Sequence, residues 1–288
     1  MGAPKFNRVS ILGVGLIGGS LALDAKAAGW FGHVTGCGRS IENLKRAKAA
    51  GIVDEYTTDQ VEAVRSADLV VLAAPVAAFI TIAKEIARAL KEGAIVTDVG
   101  SVKGKLVEEL EAALGSRVKF VPAHPVAGSE KSGAAAAIRG MFKGRRCILT
   151  PTSRTDAQAL EIIKGLWQAL GMTVVMMDPY RHDILLAATS HLPHLVAYTL
   201  VETVLRIKEK EPDVLDFAVG GFHDFTRIAG SSPEMWRDIF LLNSKAVLEM
   251  LDRFDDVAKG LREMIRRQDG ESLLRLFERS REAKLKTA

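Results

Sequence analysis

The sequence predicts an α/β domain built on a mostly parallel sheet over residues 1–178, followed by an all-helical domain over residues 179–288. Three observations carry that prediction. A β-branched run at 8–13 enters a glycine turn with Gly13, Gly15 and Gly18 at GxGxxG spacing, and Leu21 to Ala28 can continue it as a helix. Strand-like and helix-like segments then alternate as far as Met177, the pattern of repeated βαβ units. After Asp178-Pro179 no strand-like run recurs, and helical spacing of apolar residues takes over.

The glycine turn is the first element with a chemical reason. In a Rossmann-type turn the first glycine permits the bend, the second lets a pyrophosphate approach the backbone, and the third lets the helix pack closely. Leu16 and Ile17, inside the turn, are expected to contact the cofactor, and the N-terminus of the helix that follows faces the anion. About 20 residues further on, an NAD site usually carries an acid for the adenosine ribose. Here Gly38, Arg39 and Ser40 stand at that place. Arg39 could pair with a 2′-phosphate while Ser40 caps the next helix, or Arg39 could stack on adenine with NAD bound. The cofactor is therefore NAD or NADP.

The alternation continues with a strand at 69–73 ending at Pro75, a helix over 80–90, and a strand at 94–98 that runs into DVGSVKG. A helix over 103–114, a strand at 118–121, a strand at 146–150, a helix over 155–170 and a strand at 173–177 complete the first domain. Ligands of such sheets sit beyond the carboxyl ends of the strands. Gly13, Pro75, Ser101 and His124 each follow a strand end, so one crevice should contain them. His124 heads the stretch AHPVAGSE, a polar and conformationally special segment that is poor core material and good site material.

In the helical domain, Asp183 to Ile207 is apolar around most of its circumference and interrupted by Pro193. A helix without a polar face must be buried on all sides. Ser232-Pro233-Glu234 starts another helix, with Ser as cap and Pro in the first turn. Trp236, Phe240, Val247, Met250, Phe254, Val257 and Leu261 follow at helical spacing. Unbroken, that helix would run to about 50 Å, longer than a small domain is wide. A homodimer through the helical domain is the expected remedy.

Composition excludes several other classes. The chain has 288 residues, 48% of them apolar, and a net charge of +4 with Lys and Arg dispersed. Near the C-terminus they alternate with acids as on solvated helix faces, which argues against nucleic acid as partner. Cys37 and Cys147 have no metal-type spacing and are expected as free thiols in a reducing compartment, with no metal bound. No secretory signal precedes the glycine turn, and Phe6 stands where a myristoylation signal wants Ser or Thr. The longest apolar run, Leu69 to Ala83, is broken by Pro75 and shorter than the roughly 20 residues of a spanning helix. A soluble cytoplasmic protein with no membrane association is expected.

GVGLIGGS, TDVGSVK (97–103), AHPVAGSEKSG, SHLPH (190–194) and GGFHDFTRIAGSSPEMW (220–236), in this order, resemble the prephenate and arogenate dehydrogenases of tyrosine biosynthesis. The resemblance covers essentially the whole chain and is most like a monofunctional prephenate dehydrogenase. It implies oxidative decarboxylation, with hydride transfer to NAD(P)+ and, from prephenate, 4-hydroxyphenylpyruvate as product. Such chemistry asks for a base on the hydroxyl proton, cations on carboxylates, and an aligned nicotinamide.

By the same resemblance His124 is the catalytic histidine that hydrogen-bonds the substrate hydroxyl, and Ser101 contacts both that hydroxyl and the imidazole. Ser101 could at the same time cap the helix starting at Val102. Arg227 matches the arginine that grips a substrate carboxylate, for which a guanidinium fork is suited. His194 matches a histidine at the mouth of the site, and Glu130 an acid that can pair with it as a gate. Trp236 is expected beside the substrate arginine as a packing anchor, and His191 as a core histidine. The site should then lie between the two domains. A base with the reference histidine pKa of ~6.5 gives an activity that rises with pH around that value.

No fused chorismate mutase or regulatory domain is expected, so inhibition by tyrosine should be competitive at the active site. His194 favours prephenate over arogenate, since some arogenate-specific members carry an apolar residue there. Two other readings remain: a 3-hydroxyacid or imine-reductase type of dehydrogenase, and a protein that senses NAD(P) without turnover. The first does not predict the HPVAGSE and SHLPH pair, and the second has no need of His124 or Arg227.

Overall fold

The computed structural model describes residues 5–128 and 131–286. The chain divides into two compact units, Met1–Ser244 and Lys245–Ala288.

In the first unit β1 (Phe6–Leu12) leads through the glycine turn into α1 (Leu16–Ala27), then β2 (Phe31–Cys37), α2 (Ile41–Ala49), β3 (Glu55–Thr57) and α3 (Gln60–Val64). β4 (Leu69–Leu72), α4 (Phe79–Ile86), β5 (Ile95–Asp98), α5 (Gly104–Leu114) and β6 (Lys119–Val121) follow. The six strands form one parallel sheet in the order β3-β2-β1-β4-β5-β6. Its core follows from strand alternation. Val9, Ile11, Leu69 and Val71 join one apolar cluster, while Leu12, Val70 and Leu72 join the other. All four residues of β4 are buried, which explains its uninterrupted apolar sequence. Each such side chain contributes about 1.5–3 kcal/mol on burial.

The strand order reverses between β1 and β4, so their carboxyl-end loops diverge and leave a crevice. Gly13, Pro75 and Ser101 follow β1, β4 and β5 there. His124 differs from expectation, being part of a strand rather than of a loop. After Pro122 the chain leaves the parallel sheet, and β7 (Ala123–Pro125) pairs antiparallel with β8 (Arg146–Leu149). α6 (Ala157–Ala169) then leads to β9 (Thr173–Met176), which pairs parallel with β8 to complete a second, three-stranded sheet. Thr150 N–H bonds Pro122 C=O at 3.1 Å, closing the corner where the chain changes sheets.

Helices follow β9 to the end of the described residues. α7 (Pro179–Leu186) is capped by Asp178, whose carboxylate accepts from Tyr180 and Arg181 N–H. A π turn at Ala187–His191 connects it to α8 (Leu192–Lys208). The turn accommodates Pro193, which has no N–H to give the helix ladder. Burial on all sides is not what this helix shows: Ala197 is its only buried residue in α8, and Leu205 and Ile207 are exposed. Pro179–Lys208 is also the one helix among the described residues long and apolar enough to cross a membrane by length and composition. Its buried His191, bonded to Asn243 and edge-on to Trp236, has the contacts of a folded core.

α9 (Gly220–Thr226) and α10 (Pro233–Leu242) close the first unit, with Ser232 Oγ accepting from Met235 N–H as the predicted cap. The single long helix expected from Ser232 onward is broken at Asn243, whose backbone leaves the helical region at φ −105° and ψ 28°. Its buried side chain is the reason: the amide donates to Asp183 C=O at 2.9 Å and lies 3.1 Å from His191 Nδ1. The second unit consists of α11 (Ser244–Arg266), counted from Lys245, and α12 (Gly270–Leu285). The turn between them places Gln268 at φ 55° and returns Asp269 N–H to Met264 C=O. Both cysteines are free and buried. Burial raises the Cys37 thiol to about 11 and pushes Cys147 higher still, so neither is a ready nucleophile.

Candidate active site

Gly13 has φ 110°, and a Cβ there would lie 2.4 Å from the Ala73 and Ala74 backbone, so only glycine lets β1 and β4 approach at this turn. Around Gly15 a Cβ would meet no protein atom within 4 Å, and α1 has no side-chain cap. The first amides of α1, including Leu16, Ile17 and Gly18, have no intrahelical partner, which fits this cradle to a dinucleotide's pyrophosphate. Asn43 fixes the loop: its amide donates to Val14 C=O and its carbonyl accepts from Ala134 N–H, both at 2.8 Å. Arg39 and Ser40 are exposed beyond β2, with Ser40 capping α2 through Asn43 N–H. Pro75 is exposed at the end of β4, beside the same turn.

At the end of β5 a buried ion pair organises the next loop. Lys103 Nζ lies 2.6 Å from Asp98 Oδ2, with both side chains 1% exposed, and also donates to Gly100 C=O at 2.7 Å. Asp98 accepts further from Gly100 N–H and, through Oδ1, from Ala123 N–H at 3.0 Å. Oδ1 thus holds β7 against β5, while Oδ2 holds the loop from Gly100 to Lys103. Leaving either charge unpaired in such a place costs about 3–5 kcal/mol.

His124 is buried behind this loop. Its Nδ1 lies 2.8 Å from His182 Nε2, and His182 Nδ1 lies 2.9 Å from Asp183 Oδ1. Asp183 Oδ1 also accepts Lys103 N–H at 2.8 Å, at the start of α5. Gly104 makes this approach possible, since a Cβ there would sit 2.5 Å from Asp183 Oδ2. Burial drives His124 well below the usual histidine range, helped by neighbouring His182, Lys103 and His191. The same cause lowers His182 to about 2 and His191 to about 4, while it raises Asp183 to about 6.

Ser101 is half-buried at the loop, but no hydrogen bond joins it to His124, and it does not cap α5: the helix begins at Gly104 after Lys103. The group bonded to His124 is His182 instead.

On the helical side of the same unit His194 stacks on Trp236 with ring centroids 3.7 Å apart, and its Nδ1 donates to Ser190 C=O at 2.8 Å. Trp236 is buried, also touching Phe240 and His191. Arg227 is exposed and has no ion pair among the described residues. Its charge reaches His194, whose pKa falls mainly by burial and further through Arg227. His191 links the two groups electrostatically, being felt by both His124 and His182 and feeling His194 in turn. Glu130, and with it the gate pairing to His194, lies outside the described residues.

Sequence reasoning missed Asp98, Lys103, His182, Asp183, Asn43 and Asn243. Asp98 and Lys103 sit inside the TDVGSVK motif and could have been read as a pair of charges bracketing a strand-end loop. The others carry no periodic or spacing signal.

The buried groups make acid stability a sharp test. His124, His182 and His191 stay neutral in the folded protein but take up protons on unfolding once pH falls below ~6.5. Asp183 opposes them: its raised pKa adds stability at low pH that is lost as pH rises through about 6. Near pH 5 the histidines win by about two protons, so the unfolding free energy should fall by about 3 kcal/mol per pH unit. Urea unfolding at pH 7 and pH 5 measures it, and equal midpoints would contradict the burial of these groups.

A glycine-turn cradle for a dinucleotide, with a buried neutral imidazole beyond the adjacent strands, defines a Rossmann-type dehydrogenase site. Comparison with known proteins narrows the class. The family model for the prephenate dehydrogenase nucleotide-binding domain matches residues 21–176, and that for the dimerization domain matches residues 178–279. Cyclohexadienyl dehydrogenase of Zymomonas mobilis is 40% identical over 97% of this chain and 96% of its own length. Prephenate dehydrogenase of Bacillus subtilis is 38% identical over 95% of this chain and 74% of its own. A crystal structure of Aquifex aeolicus prephenate dehydrogenase with hydroxyphenyl propionate and NAD+ superposes at a TM-score of 0.93, with 40% identity over 98% of each chain. The chain belongs to the prephenate dehydrogenase family of NAD-dependent oxidoreductases.

Proposed function

We propose that this chain catalyses the oxidative decarboxylation of prephenate to 4-hydroxyphenylpyruvate, with hydride transfer to NAD+ or NADP+. The observation that carries the reading is buried, neutral His124 in β7, directly after β6 of the parallel sheet whose β1 leads into the uncapped glycine-turn helix. The bound nicotinamide supplies the hydride acceptor. His124 takes the proton of the ring hydroxyl as the hydride leaves its carbon, the carboxylate departs as carbon dioxide, and the proton returns to the ring oxygen as the ring becomes aromatic. Ser101 serves as a second contact to that hydroxyl. Arg227, exposed and without an ion pair among the described residues, holds a substrate carboxylate through its donor fork. His194 on Trp236 forms the mouth of the pocket, with Glu130 as its gate. Gly13, Gly15, Leu16, Ile17 and Gly18 hold the pyrophosphate, with Pro75, Arg39 and Ser40 around the remainder of the cofactor.

The initial-rate matrix of prephenate or arogenate with NAD+ or NADP+, followed at 340 nm, tests the reading. Prephenate should show the higher kcat/KM, because polar His194 suits its keto acid. A higher value for arogenate would move the assignment to arogenate dehydrogenase, and no turnover with any pair would leave a nucleotide-binding protein.

The relevant species is a cytoplasmic homodimer with residues 179–288 as its association domain and residues 1–178 as the dinucleotide-binding domain. Exposed apolar residues support self-association: Leu205, Ile207, Phe217 and Leu241 in the first unit, Leu248, Val257 and Ile265 in the second. Light scattering at micromolar concentration should give twice the chain mass of 31.1 kDa. The mass of one chain would exclude the dimer.

A further inference from the structure

Behind His124 stand two residues to which the proposed reaction gives no part. His182 Nε2 lies 2.8 Å from His124 Nδ1, and Asp183 Oδ1 lies 2.9 Å from His182 Nδ1, with all three side chains buried. Their protons can be assigned by satisfying each contact in turn. Asp183 Oδ1 already accepts Lys103 N–H at 2.8 Å, and a carboxylate oxygen accepts again from the imidazole. His182 Nδ1 therefore carries hydrogen. His182 is neutral, its pKa lowered to about 2 chiefly by burial, so its Nε2 holds a lone pair. The 2.8 Å contact is then a bond only if His124 Nδ1 is the donor. In neutral His124 the remaining lone pair falls on Nε2.

We propose that His182, anchored by Asp183, is a positioning residue that fixes His124 as the Nδ1–H tautomer and so presents its Nε2 lone pair to the substrate proton. The proposal rests on His124 being the base. It also accounts for the support given to Asp183: Asn243 holds its backbone carbonyl at 2.9 Å, and Gly104 leaves room for its carboxylate. The neighbouring charged and titratable groups are engaged elsewhere, Lys103 with Asp98 and Gly100, and His191 with Asn243. When Nε2 is protonated, the Nδ1–H bond to His182 becomes charge-assisted, and the Asp183 carboxylate offsets the new positive charge at the far end of the chain.

Long-range ¹H–¹⁵N correlation on the ¹⁵N-labelled wild-type protein at pH 7.5 reads the tautomer directly. His124, assigned by the loss of its signals in His124→Gln, should show a protonated Nδ1 and an unprotonated Nε2; the reverse pattern overturns the proposal. Kinetics give a second readout. His182→Leu removes the acceptor and should lower kcat roughly 10- to 100-fold with little change in either KM. His182→Gln, whose carbonyl oxygen can accept from His124, should recover most of that loss. A folded His182→Leu enzyme with wild-type kcat overturns the proposal, as does His182→Gln no better than Leu. Failure of the base reading itself looks different: His124→Ala would then keep its activity, whatever tautomer the spectrum shows.

Discussion

His124→Ala should lower kcat by about 10² to 10⁴-fold while leaving cofactor binding intact. The size follows from the loss of a positioned proton acceptor at the ring hydroxyl, and the selectivity from the glycine turn being built by β1 and α1, elements other than β7. Equilibrium titration of the variant with NAD+ and NADP+ separates the two effects. Unchanged turnover, or loss of cofactor affinity in step with rate, would remove His124 from the role of base.

The pH profile of the unmodified enzyme belongs to the same prediction. A general base works only when neutral, and one whose pKa is lowered remains neutral to lower pH. Sequence alone predicts an acid limb near the ~6.5 reference value. Burial, with His182, Lys103 and His191 nearby, moves that limb below the reference. Activity should therefore be level from pH 6.5 upward and fall only as pH drops further. A limb centred at or above 6.5 in kcat/KM would contradict the burial of His124 in the working enzyme.

Arg227→Ala should act on the other parameter, raising the KM for prephenate by about 10- to 100-fold with a smaller fall in kcat. A hydrogen bond to a charged group contributes about 1.5–3 kcal/mol, and each 1.4 kcal/mol is a factor of ten. Because Arg227 is exposed and has no ion pair among the described residues, the loss should appear in substrate binding rather than in stability. Arg227→Lys should recover only part of the affinity, since an ammonium lacks the planar fork. A fall in kcat at unchanged KM would mean that the guanidinium acts in the transition state alone.

Much of this molecule is legible in its sequence. The GxGxxG turn sits between a β-branched run and a helix, and local sterics are enough to specify it: Gly13 has a positive φ, and its neighbours leave no space for a Cβ. The strand at 69–72 is an unbroken apolar run because both its faces are covered, and the Ser232 cap forms as its side chain predicts. The helical region after Pro179 is equally plain, since its apolar spacing is periodic.

The misreadings have one cause. Asn243 reads as an ordinary position within a helical pattern, yet its amide is used by Asp183 and His191, and the helix stops there. The apolar girth of α8 reads as a helix buried on all sides, but within this chain most of that surface is not covered. Local pattern reports what a segment must bury, not which distant segment covers it.

What the sequence by itself determined is the dinucleotide turn, the alternation of strands and helices that gives way to helices alone after Pro179, and the motifs on which the resemblance rests. What only the tertiary structure decided is the company that His124 keeps. After Pro122 the chain passes from the parallel sheet into β7 of a second sheet, Asp98 pins the first amide of β7, and α7 brings His182 and Asp183 up from 58 and 59 residues away. Contacts at such separations depend on how elements pack rather than on how residues alternate, so no periodicity or spacing in the chain announces them.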